Sequence, residues 1–167
     1  MPEAEAAASD IAERIVKKLS ARKKTITAAE SCTGGMAADL IVRVPGASNV
    51  FWGSFVSYTE DAKMKMLGIP GSLIKEFGAV SRETACAMAE GALEKSGASW
   101  AFAVTGLAGP AGDDSGIAVG TVWIAVAGSA ETEAKMFLFN GGRKSVREKA
   151  TAAALEMVLE KIDDPAD

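Results

Sequence analysis

The alternation of short apolar segments with segments of helical periodicity limits the fold of this chain more than any other feature. Helical spacing of apolar residues predicts helices over residues 4–21, 36–44, 59–67, 72–77, 82–95 and 144–162. Apolar runs bounded by turn residues predict strands over residues 24–29, 51–58, 100–105, 119–127 and 133–139. Such alternation is typical of a sheet with helices packed on both faces.

The last two predicted strands are joined by a short turn at residues 128–130, which predicts an antiparallel hairpin. The chain has 167 residues and shows no repeat, linker or low-complexity segment, so we expect one domain over residues 1–167. Its ends, at about 1–4 and 163–167, are expected to fray. The predicted fold class is α/β, a three-layer α/β/α sandwich whose mixed sheet includes a C-terminal antiparallel hairpin.

The absence of histidine restricts the chemistry available to this chain. It excludes a Ser-His-Asp triad, a Cys-His dyad and nearly all zinc sites. Any general base must therefore be a carboxylate, a lysine, a tyrosine or a water molecule. The two cysteines, Cys32 and Cys86, lack metal-ligand spacing and form no disulfide framework, which is typical of a reducing compartment.

Charge and hydropathy exclude several classes of partner. The net charge is −4 and no segment is rich in lysine or arginine, so we expect no nucleic-acid partner. No apolar stretch approaches the roughly 18 residues of a membrane span, so we expect no membrane partner. Residues 1–5 are acidic and lack the basic start of a secretory signal, which predicts a cytoplasmic protein.

The sequence Glu-Ser-Cys-Thr-Gly-Gly at residues 30–35 lies between a predicted strand and a predicted helix. Ser31 at the end of the strand could be an exposed nucleophile. Thr33, Gly34 and Gly35 stand where free amides at a helix start favour a phosphate or an oxyanion. The alternative is that Ser31 and Thr33 cap the helix and the glycines merely turn the chain.

Lys63 is a candidate general base on a short helix that Thr59 caps. At about 100° per residue it falls within the apolar arc of Ala62, Met66 and Leu67. A lysine directed inward loses hydration, which lowers its pKa and allows it to accept a proton. The alternative is a lysine whose stem packs on the core while its ammonium group reaches water.

Two further residues near these segments are candidates for a role in catalysis. Tyr58, the only tyrosine, could relay a proton or hold Lys63 by a hydrogen bond, or it could simply pack at a strand end. Cys32 could compete with Ser31 as nucleophile. Without histidine it lacks the usual activating partner, and a buried structural cysteine is the more common case.

A second glycine-rich segment follows the strand predicted at 100–105 and contains Thr105, Gly106 and Gly109. Its spacing matches neither a Walker loop nor a dinucleotide fingerprint, so on its own it indicates little. Arg143 and Arg147 lie one turn apart at the start of the last helix. They could bind a phosphate together with free amides, or they could be solvated cations on an exposed face.

Taken together, six stretches resemble the C-terminal domain of the CinA family, the nicotinamide mononucleotide deamidases. They are residues 29–35, 58–63, 78–81, 105–110 and 119–122 and the pair Arg143 and Arg147. The resemblance covers nearly the whole chain. The chain departs from the family's usual Lys-Pro-Val-Gly stretch, which is Ile-Ala-Val-Gly at 117–120, and residues 111–115 are acidic rather than plainly glycine-rich.

The resemblance implies a hydrolase of pyridine nucleotide recycling that converts nicotinamide mononucleotide to nicotinate mononucleotide and ammonia without a metal or cofactor. Ser31 would be the nucleophile, Lys63 its base and Tyr58 an assisting residue. The substrate would contact Thr33, Gly34, Gly35, Thr105, Gly106, Gly109, Arg143 and Arg147. Amides near residues 33–35 and 106 would stabilise the oxyanion, and Arg147, more than Arg143, would bind the phosphate.

The family also joins this domain to an N-terminal molybdopterin-binding-like domain, and the resemblance implies the stand-alone form here. We expect a small nucleotide as substrate and a homo-oligomer, which is common among small enzymes. Two alternatives remain: a serine–lysine amidase for another small amide, and a non-catalytic regulator that binds a nucleotide in the two glycine loops.

Overall fold

The computed structural model describes residues 3–112 and 114–163 and contains a five-stranded sheet between two layers of helices. The strands are β1 (Ile26–Glu30), β2 (Phe51–Val56), β3 (Trp100–Gly106), β4 (Thr121–Ala127) and β5 (Thr132–Leu138). The helices are α1 (Glu3–Arg22), α2 (Met36–Val42), α3 (Glu60–Leu67), α4 (Gly71–Phe77), α5 (Arg82–Ser96) and α6 (Arg143–Asp163), with a short 3₁₀ turn at Ala47–Asn49. The predicted α/β fold class is confirmed.

The sheet is mixed, with the strand order β2-β1-β3-β4-β5. β1 pairs in parallel with β2 on one side and with β3 on the other. β4 runs antiparallel to both β3 and β5, so the predicted C-terminal hairpin is present. The carboxyl ends of β1, β2 and β3 consequently meet at one edge of the sheet, where α/β proteins commonly bind their ligands.

The two faces of the sheet differ in the size of their side chains. Large residues such as Ile26, Phe102 and Ile124 pack against α1, α2 and α6. The opposite face carries mainly alanine, including Ala101 and Ala103, and packs against α5. Alternation along each strand produces this division, since successive side chains point to opposite faces. The small face allows α5 to approach the sheet closely.

The position of α3 follows from its cap and from its contact with α5. The Thr59 hydroxyl accepts a hydrogen bond from the Ala62 amide, as expected for the start of this helix. At its other end, a Cβ atom on Gly91 of α5 would collide with the Leu67 carbonyl, so glycine permits the two helices to touch. Lys63 and Leu67 are buried as predicted, whereas Met66, expected on the same face, is 39% exposed.

Several predicted boundaries differ from the structure for local reasons. β1 begins two residues late because Lys23 has a left-handed φ of 52° where α1 ends. β4 begins at Thr121 because Gly120 has a φ of 95°, which a strand does not adopt. Of the ends expected to fray, residues 3, 4 and 163 are helical, and residues 1–2 and 164–167 lie outside the described residues.

Within the described residues, no helix combines the length and the apolar character needed to cross a membrane.

Candidate active site

A cleft of about 220 Å³ opens at the carboxyl ends of β1, β2 and β3. It brings together residues that are far apart in the sequence, because parallel strands carry their following loops to the same edge. The predicted site residues on its wall are Ser31, Tyr58, Lys63, Thr105, Gly106, Gly109 and Arg143, and Cys32, Ala79, Val80, Leu107 and Ala108 complete it.

The centre of the cleft is a direct contact between Ser31 and Lys63. The Lys63 Nζ lies 2.9 Å from the Ser31 Oγ and donates a second hydrogen bond of 3.0 Å to the Ser57 carbonyl. Ser31 directly follows β1 and Lys63 lies on α3, so the pair depends on the packing of α3 against the sheet and α5. Serine and lysine at this distance can exchange a proton directly.

Burial lowers the pKa of the Lys63 ammonium from its ordinary value. Only 2% of the residue is exposed, and no described carboxylate lies within ion-pair distance of it. Desolvation disfavours the charged amine, and without a paired anion little offsets that cost. At a given pH, a larger fraction of Lys63 than of a surface lysine is therefore neutral and able to accept a proton.

The neighbouring thiol of Cys32 responds to burial in the opposite sense. Burial raises the pKa of Cys32 to about 11, because the thiolate loses its hydration. The thiol is therefore protonated near neutral pH and is a poor nucleophile. Its environment favours Ser31 over Cys32 as the reactive group of the loop.

Glu30 is a residue beside the cleft that the sequence analysis missed. Its buried carboxylate accepts hydrogen bonds from the Gly35, Ala37 and Ala38 amides at the start of α2, at 3.0, 3.2 and 2.9 Å. The Gly34 amide donates instead to the Ser31 carbonyl, at 3.1 Å. The protein's own carboxylate thus occupies the helix start that was expected to bind an external anion.

Three of the residues expected to contact the substrate, Thr33, Gly34 and Gly35, lie outside the cleft wall. Gly34 and Gly35 do not line the cleft, and their amides are used within the protein. Thr33 is fully buried beside them, outside the cleft wall, and its Oγ1 has no hydrogen-bond partner among the described residues. A glutamate that ends a strand just before a glycine pair and a helix is the signal that could have predicted this arrangement.

The Thr33 amide of the Ser31 loop has no hydrogen-bond acceptor among the described residues, whereas the Cys32 amide contacts the thiol of its own residue. The Leu107 amide donates to the Thr121 carbonyl of β4 at 2.9 Å. The N–H groups of successive residues in a strand point alternately to its two neighbouring strands. The Leu107 amide points to β4, so the Gly106 amide points towards β1. Because β1 ends at Glu30, the Gly106 amide faces the space beside Ser31.

The second glycine-rich segment forms one wall of the cleft, with Thr105, Gly106 and Gly109 in it. The Thr105 hydroxyl donates to the Ala79 carbonyl at 2.7 Å, so it holds the opposite wall. A Cβ atom on Gly106 would lie 2.7 Å from the nearest side-chain atom of Val122. Glycine is therefore required at this position for β3 to pass β4 at the edge of the cleft.

Tyr58 is at the mouth of the cleft but has a different partner from the one proposed for it. Its hydroxyl accepts a 2.9 Å hydrogen bond from Arg143, whereas the Lys63 amine bonds to Ser31 and Ser57. The Tyr58 side chain is 57% exposed, because β2 ends before it and the chain turns outward there. The expected direct support of Lys63 by Tyr58 is not formed, and the Ser57 carbonyl provides that support.

The two arginines at the start of α6 occupy different environments. Arg143 is exposed, lines the cleft and donates to the Gly109 carbonyl at 2.8 Å. Arg147 is half-buried and outside the cleft, and it donates to the Cys32 and Thr33 carbonyls, each at 2.9 Å. Arg147, expected from the sequence ahead of Arg143 as an anion-binding residue, is thus bonded to the protein backbone, and of the two arginines only Arg143 lines the cleft.

Within the described residues, no cluster of three or more cysteine and carboxylate side chains has the arrangement of a metal site.

Comparisons with known proteins match most of this chain to one family. Residues 8–162 match the model of the CinA C-terminal domain. A CinA-like protein of Anaeromyxobacter sp. (strain K) is 44% identical over 149 residues, which cover 89% of this chain and 36% of that protein. A CinA-like protein of Akkermansia muciniphila is 44% identical over 155 residues, which cover 92% and 37% of the two chains. The chain thus spans little more than a third of these relatives.

Solved structures agree with the chain over nearly their whole length. A competence-damaged protein (CinA) superfamily protein from Escherichia coli superposes with a TM-score of 0.90 at 31% identity, covering 92% of this chain and 90% of the other. A competence/damage inducible protein from Agrobacterium tumefaciens has a TM-score of 0.89 at 38% identity, with coverages of 95% and 96%. Family model, sequence relatives and fold therefore agree, and the chain belongs to the CinA C-terminal domain family.

Proposed function

We propose that this protein hydrolyses the carboxamide of nicotinamide mononucleotide to nicotinate mononucleotide and ammonia through an acyl-enzyme on Ser31. The observation that supports this most strongly is the 2.9 Å contact between the Ser31 hydroxyl and the buried amine of Lys63. A buried, unpaired lysine with a lowered pKa is a suitable base for a serine nucleophile. The absence of histidine from the sequence leaves this pair as the natural nucleophile and base.

The first step is attack of the Ser31 Oγ on the carboxamide carbon. Neutral Lys63 accepts the hydroxyl proton, while the Ser57 carbonyl holds the amine by one of its N–H groups. That second hydrogen bond restrains the amine so that its lone pair can face Ser31. The electron-withdrawing pyridinium ring of the substrate makes its amide more reactive than an ordinary amide.

Negative charge then develops on the former carbonyl oxygen. The Gly106 amide faces the space beside Ser31, and it and the Thr33 amide are the candidate donors to this oxygen. Backbone donors of this kind typically contribute about 100- to 1,000-fold each to the rate. They require no movement at the moment of reaction, because the surrounding sheet and turn fix them.

The tetrahedral intermediate collapses with loss of ammonia, and the Lys63 ammonium returns its proton to the leaving nitrogen. A water molecule then attacks the acyl group on Ser31, again with neutral Lys63 as the base. The C–O bond to Ser31 then breaks, the Lys63 ammonium returns its proton to the Ser31 oxygen, and the carboxylate product leaves. Overall, one C–N bond and one water O–H bond break, and one C–O bond and one N–H bond form, so no redox partner is needed.

Arg143 is the better candidate for the substrate phosphate. It is exposed on the cleft wall, and its guanidinium lies between the Tyr58 hydroxyl and the Gly109 carbonyl. Arginine matches the geometry of a phosphate with two parallel N–H donors. A phosphate here would take over donors that now serve these two neutral oxygens.

Incubation of the purified protein with nicotinamide mononucleotide, in buffer containing EDTA, tests the proposal. We expect stoichiometric ammonia and nicotinate mononucleotide, measured by chromatography and an ammonia assay. Faster ammonia release from another carboxamide in a panel would instead identify a serine–lysine amidase of different specificity. Tight binding of the nucleotide without any product would mean a non-catalytic regulator.

A further inference from the structure

Arg147 makes two hydrogen bonds to consecutive carbonyls of the loop that carries Ser31. Its Nε donates to the Cys32 carbonyl and its Nη2 to the Thr33 carbonyl, both at 2.9 Å. The guanidinium is half-buried and does not line the cleft. Two of its donor groups are thus bonded to the protein backbone, outside the wall of the cleft.

These two bonds fix the orientation of two peptide planes. In a trans peptide the C=O and the following N–H point in opposite directions. With the Cys32 carbonyl held by Arg147, the Thr33 amide must point to the other side of the loop. With the Thr33 carbonyl also held, the Gly34 amide points away as well, and it donates to the Ser31 carbonyl at 3.1 Å.

Glu30 binds the other end of the loop through its amides rather than its carbonyls. Its carboxylate accepts from the Gly35, Ala37 and Ala38 amides. The loop is therefore fixed at both ends: the Arg147 guanidinium binds two of its carbonyls, and the Glu30 carboxylate binds the amides that follow. Charge-assisted hydrogen bonds of this kind are about twice as strong as neutral ones.

The loop needs such restraint because its sequence favours mobility. Gly34 and Gly35 both have left-handed φ values, 61° and 93°, that glycine adopts without strain. A Cβ atom on Gly34 would lie only 3.3 Å from the Arg147 Nη2, so glycine also allows the guanidinium to lie close to the loop. Without Arg147, the peptide planes at residues 32–34 could rotate and misdirect the amides beside Ser31.

We propose that Arg147 is a positioning residue that orients the backbone amides of the Ser31 loop, rather than a group that binds the substrate phosphate. This inference rests on the proposed serine mechanism. It predicts that loss of Arg147 lowers the rate of the chemical step without weakening substrate binding, because the orienting bonds lie outside the wall of the cleft.

Steady-state kinetics of Arg147→Ala, Arg147→Lys and the matched Arg143→Ala variant test the role. Both Arg147 variants should lose roughly 100-fold in kcat with KM almost unchanged, the size of an impaired oxyanion donor. Lysine keeps the charge but cannot bridge two carbonyls, so it should not restore the rate. Added guanidinium should raise the kcat of Arg147→Ala, and added ammonium should not. If the alanine variant does not fold, the lysine variant gives the same kinetic test.

A higher KM with unchanged kcat in the Arg147 variants would overturn the proposal, as would full activity in Arg147→Lys. A second measurement separates this inference from the proposed substrate. The Ser31 Oγ can displace p-nitrophenolate from p-nitrophenyl acetate and pass its proton to Lys63, and mass spectrometry detects the acetyl group on Ser31. If the wild type acetylates Ser31 but does not hydrolyse nicotinamide mononucleotide, the proposed function fails. The inference then stands if Arg147→Ala slows acetylation and fails if it does not.

Discussion

The amine of Lys63 reaches the hydroxyl of Ser31 from a side chain that is almost completely buried, 2.9 Å away and on a separate helix. No described carboxylate pairs with that amine, and its remaining recorded partner is the Ser57 carbonyl. A lysine placed this way is costly to keep charged. Its position beside a serine in a cleft is the feature from which the catalytic account follows.

Replacement of Ser31 by alanine should reduce turnover by at least about 1,000-fold, the usual effect of removing a nucleophile. Cys32→Ala should keep most of the activity, because burial raises the pKa of that thiol to about 11 and leaves it protonated. Ammonia release from both variants checks this pair of expectations. An inactive cysteine variant beside an active serine variant would exchange the two roles.

Activity should rise with pH through the pKa of Lys63, since only the neutral amine accepts the serine proton. Burial lowers that pKa, so the rise should occur at lower pH than for an ordinary lysine. Lys63→Met and Lys63→Arg should both lose at least about 100-fold in kcat, because neither side chain accepts a proton. A pH–rate profile of the wild type and the arginine variant provides the measurement. An active arginine variant with a flat profile would show that Lys63 acts only through its charge.

The fold could be predicted from the sequence because the periodicity of apolar residues changes clearly between strand and helix. The hairpin of β4 and β5 and the inward direction of Lys63 were predicted from local patterns alone. The boundaries at β1 and β4 were less accurate, because Lys23 and Gly120 adopt left-handed backbone angles that apolar patterns do not record.

The partners of the charged and polar site residues could not be predicted, since they depend on long-range packing. Arg147 and Cys32 are 115 positions apart, and Arg143 and Tyr58 are 85 positions apart. Sequence spacing on α6 shows that both arginines lie on neighbouring turns, but not which one faces the cleft. The position of Glu30 before a glycine pair and a helix is visible in the sequence, but the amides from which its carboxylate accepts hydrogen bonds depend on how the loop folds back over it.

Arg143→Ala should raise KM for nicotinamide mononucleotide with little change in kcat, if Arg143 binds the phosphate equally in ground and transition states. The guanidinium is exposed, so we expect a loss of roughly tenfold in kcat/KM, at the lower end for a charge-assisted hydrogen bond. Kinetics with nicotinamide riboside, which lacks the phosphate, serve as the control. Equal losses with both substrates would show that Arg143 does not recognise the phosphate.

Glu30→Gln should destabilise the protein by about 2 kcal/mol or more, because one carboxylate oxygen becomes an NH₂ group that faces buried amide donors. The affected donors are the Gly35, Ala37 and Ala38 amides at the start of α2. Urea unfolding gives the free energy, with the exposed Glu156→Gln variant as a charge-matched control. Equal stability of the two variants would mean that the Glu30 charge contributes nothing to holding the loop.

Rapid-quench mass spectrometry of the enzyme mixed with nicotinamide mononucleotide tests the serine mechanism most directly. At early times and low pH, where water attack is slow, a fraction of the protein should carry the nicotinate mononucleotide acyl group on the peptide that contains Ser31. The adduct should appear with the release of ammonia, decay as nicotinate mononucleotide forms, and be absent from Ser31→Ala. Full turnover by the Ser31→Ala variant, or an acyl group on Cys32 instead, would contradict the account.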